Sequence, residues 1–168
     1  MTTKIITRAA LLLALTLVFQ SLRFIIPVTP FASTFIIGSL VNACLFIAVE
    51  ITGLMPAVII AVIAPAIAYF QQLLPLPVFI VPIAAGNILL ACIYHLCMKK
   101  RWVAIIFAAS LKALTLYFSF AYLLRFLSLP PKVVSALLFI MNWPQFATAV
   151  AGGVLAGLIG RRLRTIRN

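Results

Sequence analysis

The sequence is poor in charged residues and contains one acidic side chain, Glu50, among its 168 residues. Only 8% of the residues are charged, whereas a water-soluble domain carries about a quarter. This scarcity excludes an ordinary soluble domain. It also excludes catalysis by paired carboxylates, and it weighs against a proton relay, which normally uses membrane Asp, Glu or His side chains.

Motifs of enzymes and of metal proteins are missing as well. The chain has no G-x-S-x-G, no H-E-x-x-H and no G-x-x-x-x-G-K phosphate loop. Its three cysteines, Cys44, Cys92 and Cys97, lie in apolar runs without C-x-x-C spacing, which favours packing residues over a zinc site or a disulfide framework. We therefore expect no enzymatic activity, no metal and no cofactor.

Apolar runs make up most of the chain. The apolar fraction is 66%, and a membrane-spanning helix needs about 20 such residues in a row. The breaks between runs predict six segments: 5–26, 33–52, 54–74, 78–98, 102–127 and 133–160. The expected fold is all-α, an integral membrane bundle of six transmembrane helices in one domain, 1–168. The first segment is interpreted as a retained helix, because no small-residue cleavage site follows it.

The basic residues indicate the orientation of this bundle. Short connections make neighbouring spans antiparallel, and one side then receives Arg23, Arg125 and Lys132. The other side receives nine basic residues: Lys4, Arg8, Lys99, Lys100, Arg101, Arg161, Arg162, Arg164 and Arg167. By the positive-inside rule both termini are expected in the cytoplasm. The net charge of +12 is then explained by contacts with lipid headgroups, and binding to nucleic acid is not expected.

Four strongly polar side chains fall at one depth inside the apolar segments. Lys112 is about 15 Å into the fifth segment, at a rise of about 1.5 Å per residue. Asn42, Asn87 and Asn142 each lie about 13 Å from the outer face on three other segments. Because such groups are costly to expose to lipid, we expect them to face one another or a shared cavity.

Polar residues continue outward from this level. One polar stripe on the fifth segment consists of Lys112, Thr115, Ser119 and Tyr122. One on the sixth consists of Asn142, Gln145 and Thr148, with Trp143 beside them. Gln20 and Arg23 end the first segment on the outer side, and Gln71 and Gln72 end the third. This pattern predicts a cavity that is open to the exterior.

Two other readings of these residues stay open. Lys112 could be deprotonated, or held by asparagine side chains and backbone carbonyls as structural glue between helices, with no ligand. Glu50 lies about 10 Å from Lys112 in depth, so a direct ion pair between them is not expected. Glu50 could instead contact basic residues at the inner boundary or a partner protein. His95 is expected to be an interfacial residue.

The overall plan resembles a known family. The first segment contains Ala10-Leu-Leu-Leu-Ala14, an A-x-x-x-A pattern whose small residues leave a groove for another helix. This pattern, the chain length and the six predicted spans make the sequence similar to the S components of energy-coupling factor transporters. The resemblance implies a bacterial cell-membrane protein that captures a vitamin or related micronutrient from outside. It also implies that Ala10 and Ala14 bind a transmembrane coupling subunit, which carries two cytoplasmic ATPases.

The polar residues favour a carboxylate-bearing ligand. The expected substrate-binding residues are Asn42, Asn87, Lys112, Thr115, Ser119, Asn142, Trp143 and Gln145. One buried cation with amides and aromatic neighbours suits niacin, biotin, pantothenate or lipoate, and a phosphate-bearing ligand stays open. The alternatives are a membrane scaffold of the rod-shape-determining type, which needs no cavity, and a small permease that works without ATPases.

Overall fold

The protein is built of helices, with no strand among the residues that the structure describes. The computed structural model describes residues 2–25 and 29–167, except for the side chains of residue 30 and residues 161–167. The helices are α1 Thr3–Ser21, α2 Pro30–Thr52, α3 Leu54–Phe70, α4 Ile80–Cys97, α5 Arg101–Leu123, α6 Pro131–Ile140 and α7 Trp143–Arg167. Short 3-10 turns, Leu22–Phe24, Pro77–Phe79 and Met98–Lys100, follow α1 and flank α4.

Among the residues that the structure describes, four stretches are long and apolar enough to cross a membrane. They are Thr3–Phe24, Phe31–Thr52, Pro77–Leu123 and Pro131–Gly160, and Leu54–Phe70 is a shorter apolar helix. The stretch Pro77–Leu123 contains 47 residues and includes both α4 and α5, which a three-residue turn joins and which pack side by side. The chain therefore has the composition and the helices of a membrane bundle.

The bundle has two ends, which we name after an arginine at each. At the Arg23 end, α1 and α3 finish and α2 and α4 begin; at the Arg101 end, α2 and α4 finish and α3 and α5 begin. Gly53, with φ of 90°, forms the single-residue link between α2 and α3 at the Arg101 end. The four arginines at 161, 162, 164 and 167 that were counted for orientation have side chains outside the described part of the chain.

The sixth predicted segment is two helices and not one. α6 ends at Ile140 and α7 begins at Trp143, so Pro144 occupies the first turn of α7, where its missing N–H is not needed. In a continuous helix Pro144 would leave the Ile140 carbonyl without its donor. In the structure that carbonyl accepts a hydrogen bond from Gln145 Nε2 at 3.4 Å. Pro144 thus creates a break in the helix, close to the depth predicted for Lys112 and the three asparagines.

Helix α3 ends earlier than predicted, at Phe70 instead of residue 74. Gln72 adopts a left-handed conformation with φ of 58°, and Leu73 N–H donates to the Ala68 carbonyl at 2.9 Å, which is the hydrogen bond of a Schellman motif. This turn releases Leu73 and the following residue from the helix. Both then lie at the cavity described below.

Glycines on α7 allow the closest helix contacts. A Cβ at Gly152 would lie 2.7 Å from the Ser39 carbonyl oxygen and 2.8 Å from the Ala43 nitrogen of α2. A Cβ at Gly153 would lie 2.6 Å from the Ile105 side chain of α5. The backbones of α2 and α7 therefore approach each other at a distance that only glycine permits.

We predict that Gly152→Ala lowers the free energy of unfolding by about 1–3 kcal/mol, because the new methyl group meets backbone atoms that cannot rotate away. Gly157→Ala on the same helix is the control, since its nearest neighbour is the flexible Arg101 side chain at 3.3 Å. Thermal unfolding of both variants in detergent measures the difference. Equal melting temperatures would contradict the close approach.

Candidate functional site

Lys112 is at the centre of a buried polar cluster. Its Nζ donates to Asn42 Oδ1 at 2.6 Å and to Asn87 Oδ1 at 2.7 Å. The three residues come from α5, α2 and α4, and their exposed fractions are 4% or less. Three separate helices thus bring their polar side chains to one ammonium group.

The hydrogen bonds fix the orientation of the two amides. Because an ammonium group only donates, each asparagine must turn its oxygen toward Lys112 and its NH₂ group away. Asn42 Nδ2 donates to Thr148 Oγ1 at 3.4 Å, and Thr148 Oγ1 donates to the Gln145 carbonyl at 3.1 Å. The cluster therefore extends to α7, at the helix break.

Lys112 also borders a cavity. An ammonium group has three N–H donors, and the two asparagines accept two of them among the described residues. The cavity has a volume of about 150 Å³ and extends from Lys112 toward the Arg23 end. Its lining residues are Gln20, Arg23, Thr34, Ile37, Gly38, Val41, Asn42, Pro65, Ala68, Leu73, Leu74, Ile83, Asn87, Lys112 and Gln145.

The charges of the cavity are of one sign. Arg23 and Lys112 are its cationic side chains, and Arg23 is exposed at its outer end. The lining contains no carboxylate, since Glu50 is the one acidic residue of the sequence and does not border the cavity. An anion that enters would meet two cations and several amide groups with no opposing charge.

Glu50 lies outside the cavity and contacts other residues. Its Oε1 lies 2.8 Å from Arg101 Nη2 and accepts a hydrogen bond from the Tyr94 hydroxyl. The contact with Arg101 is an ion pair in which the guanidinium is not aligned as a hydrogen-bond donor. Of the two contacts considered for Glu50 from the sequence, the structure shows the one with a basic residue, at the Arg101 end. Glu50 therefore does not neutralise Lys112.

The structure brings four of the eight predicted site residues to the cavity. Asn42, Asn87, Lys112 and Gln145 all line it. Their common feature is that each projects from a different helix toward the middle of the bundle.

The other four lie away from the cavity lining. Thr115 and Ser119 are half-buried on α5, one turn and two turns beyond Lys112. Asn142 lies exposed in the break between α6 and α7 and does not border the cavity. Trp143 is 48% exposed and packs against Phe35, with ring centroids 5.5 Å apart.

Sequence reasoning assigned Asn42 of α2 to the site but missed Thr34 and Gly38 on the same helix. Thr34, Gly38 and Asn42 follow one another at intervals of four residues, so they share one face of α2. This spacing could have predicted the cavity, because a glycine between two polar residues on one helix face leaves space beside the helix. Gln20 and Arg23, noted above as outer polar residues, line the cavity from α1.

The two alanines of the A-x-x-x-A pattern are on the opposite side of α1. Ala10 and Ala14 are exposed, together with Leu11 at 65% and Leu15 at 42%. This face does not contribute to the cavity. Among residues 2–25 and 29–160, no group of three His, Cys, Asp or Glu side chains is placed to hold a metal ion.

We predict that Asn87→Leu lowers the free energy of unfolding by about 1–3 kcal/mol, because it removes one acceptor from a buried ammonium group. Lys112→Met in the same chain should recover part of the loss, since the unpaired donor is then gone. Asn142→Leu is the control and should have little effect, because Asn142 is exposed. Purely additive effects of the Asn87 and Lys112 substitutions would contradict the coupling.

Comparison with protein-family models, with curated proteins and with solved structures found no match for this chain. Its function is therefore inferred from the cavity and from the side chains that line it.

Proposed function

We propose that this chain is the substrate-binding membrane subunit of an energy-coupling-factor type importer, and that it captures a small carboxylate-bearing micronutrient. The observation that carries the proposal is the Lys112 ammonium group, buried at the inner end of a polar cavity that has no carboxylate. A carboxylate in the cavity could accept the third N–H of Lys112 and pair with its charge. The Arg23 guanidinium adds a second cation on the way in.

The proposed topology has six spans with both termini in the cytoplasm. The turn Met98–Lys100 and Arg101 form a basic cluster at the Arg101 end, and the cavity opens toward the other end. Because basic residues concentrate on the cytoplasmic side of membrane proteins, this arrangement supports a cavity that opens to the exterior. The chain would then lie in a bacterial cell membrane.

The proposed partners are a transmembrane coupling subunit and two cytoplasmic ATPases. Only 11% of the apolar window of α1 is buried within the chain, and Ala10 and Ala14 lie on the exposed part. Small residues one turn apart allow another helix to pack closely there. The chain has no phosphate-binding loop of its own, so a partner would have to supply the energy from ATP.

A membrane scaffold of the rod-shape-determining type is the alternative function. The surroundings of Lys112 distinguish it from a substrate-binding subunit. A scaffold explains why Asn42 and Asn87 hold the ammonium group, since the three residues join three helices. It does not explain a cavity of about 150 Å³ beside them, lined by two cations. A small permease would share the cavity and would transport without ATPases.

We expect the purified protein to bind a radiolabelled carboxylate from a panel of nicotinate, biotin, pantothenate and lipoate. Lys112→Met should weaken that binding at least tenfold, because the carboxylate loses its charged donor. Lys132→Met removes the same charge outside the cavity and should leave the affinity unchanged. Equal affinities of the two variants would reject the role of Lys112, and thermal unfolding of each confirms that it is folded.

Uptake should depend on partners. Cells that express the chain with a coupling subunit and its ATPases should accumulate the bound nutrient, whereas cells that express the chain alone should only retain it at the surface. ATP depletion should abolish accumulation. Accumulation by the chain alone would identify a permease, and a failure to bind any nutrient would favour the scaffold.

A further inference from the structure

The two cations of the cavity lie toward opposite ends of it. Lys112 is bonded to Asn42 at the inner end, and Arg23 is exposed at the outer end. Thr34, in the second turn of α2, lines the outer part of the wall. Thr34 and Asn42 are eight residues apart, which corresponds to about 12 Å along the axis of α2. The wall of the cavity thus extends over about two helical turns between the levels of the two cations.

Neither cation can be neutralised by a side chain of this protein. Glu50, the one acidic side chain of the sequence, is paired with Arg101 at the other end of the bundle. No side-chain carboxylate is then left for Lys112 or for Arg23. The amide oxygens that accept from Lys112 carry no charge. A counter-charge for either cation has to come from another molecule.

A ligand with a single carboxylate would supply only one of these counter-charges. Nicotinate, biotin, pantothenate and lipoate are all of this kind. Bound through its carboxylate to Lys112, such an acid would leave Arg23 without a partner from the ligand. A second acidic group on the same molecule would reach Arg23 in an intramolecular step, without the cost of a second binding event. Guanidinium is also well suited to this contact, because its planar fork of N–H donors matches a carboxylate.

We infer that the ligand of this cavity carries two separate acidic groups, one that binds Lys112 and one that binds Arg23. This inference rests on the proposed function and adds the chemical class of the substrate. Arg23 is then a binding residue, and not only a charge that attracts anions toward the entrance. Because Arg23 is exposed, salt screens its contact with the second acidic group, whereas the contact with the buried Lys112 is screened less.

Matched pairs of linear acids test the second acidic group. The probes are glutarate, adipate, suberate and sebacate, each compared with its monoamide, which has the same length and one charge fewer. The range of lengths allows for the reach of the two cationic side chains. Binding to the purified protein in non-ionic detergent is measured by calorimetry at low ionic strength. We expect the best diacid to bind about three- to tenfold more tightly than its monoamide, and this preference should shrink at high salt.

Arginine variants assign the preference to one residue. Arg23→Met should abolish the preference for the diacid while keeping the affinity for the monoamide, which still binds Lys112. Arg23→Lys retains the charge and should keep part of the preference. Arg125→Met is the matched control, because Arg125 is an exposed arginine just beyond α5 at the Arg23 end that does not border the cavity. A preference that survives in Arg23→Met, or one that Arg125→Met also loses, would overturn the assignment.

A lipid headgroup is the other source of an anion for Arg23. The calorimetry is therefore repeated with the protein in phosphatidylcholine nanodiscs, where headgroup phosphates are present at the ends of the bundle. The preference for the diacid should persist there. Its loss in nanodiscs would assign Arg23 to the headgroups and reject the second acidic group of the ligand.

The outcomes separate this inference from the function on which it rests. Equal binding of every diacid and its monoamide by the unsubstituted protein would reject the second acidic group and leave carboxylate capture standing. Binding of the single-carboxylate panel without binding of any diacid would have the same meaning. If no acid binds at all, the proposed function fails. The comparison of probes needs only the natural sequence, so it remains decisive if Arg23→Met does not fold.

Discussion

The bond from the Lys112 ammonium group to Asn42 and Asn87 is the interaction on which the interior of this bundle depends. It ties α5 to α2 and α4 in the buried interior, where an unpaired polar group is costly. The amide oxygens accept from Lys112 but carry no charge, and Glu50, the one acidic side chain of the sequence, contacts Arg101 and Tyr94 instead. Lys112 is therefore hydrogen-bonded within the protein without a carboxylate to pair with it.

The two ends of the bundle are built differently. At the Arg101 end, Arg101 and Glu50 form an ion pair, and Gly157 and Gly160 leave room for them to meet. At the Arg23 end, α3 stops early, and a cavity lies between the helices. The bundle is thus closely packed at one end and keeps a cavity at the other.

Much of this fold could be predicted from the sequence, because apolar runs and their breaks follow directly from the cost of exposing polar groups to lipid. The convergence of Asn42, Asn87 and Lys112 was predicted from depth alone, since three costly side chains at one level must find one another. The depth of a residue along a helix does not show in which direction around the helix axis its side chain points. Asn142 was predicted at the same level, but it lies in the break before Pro144, is exposed and does not line the cavity.

The unbalanced charge of the cavity has an energetic consequence. Arg23 and Lys112 face the same space with no acid between them, so their positive charges repel each other, and an anion bound between them would remove that repulsion. In the proposed importer, the liganded state would then be the electrostatically relaxed one. Letting the anion go would restore the repulsion, so release would be an uphill step that needs work from another molecule.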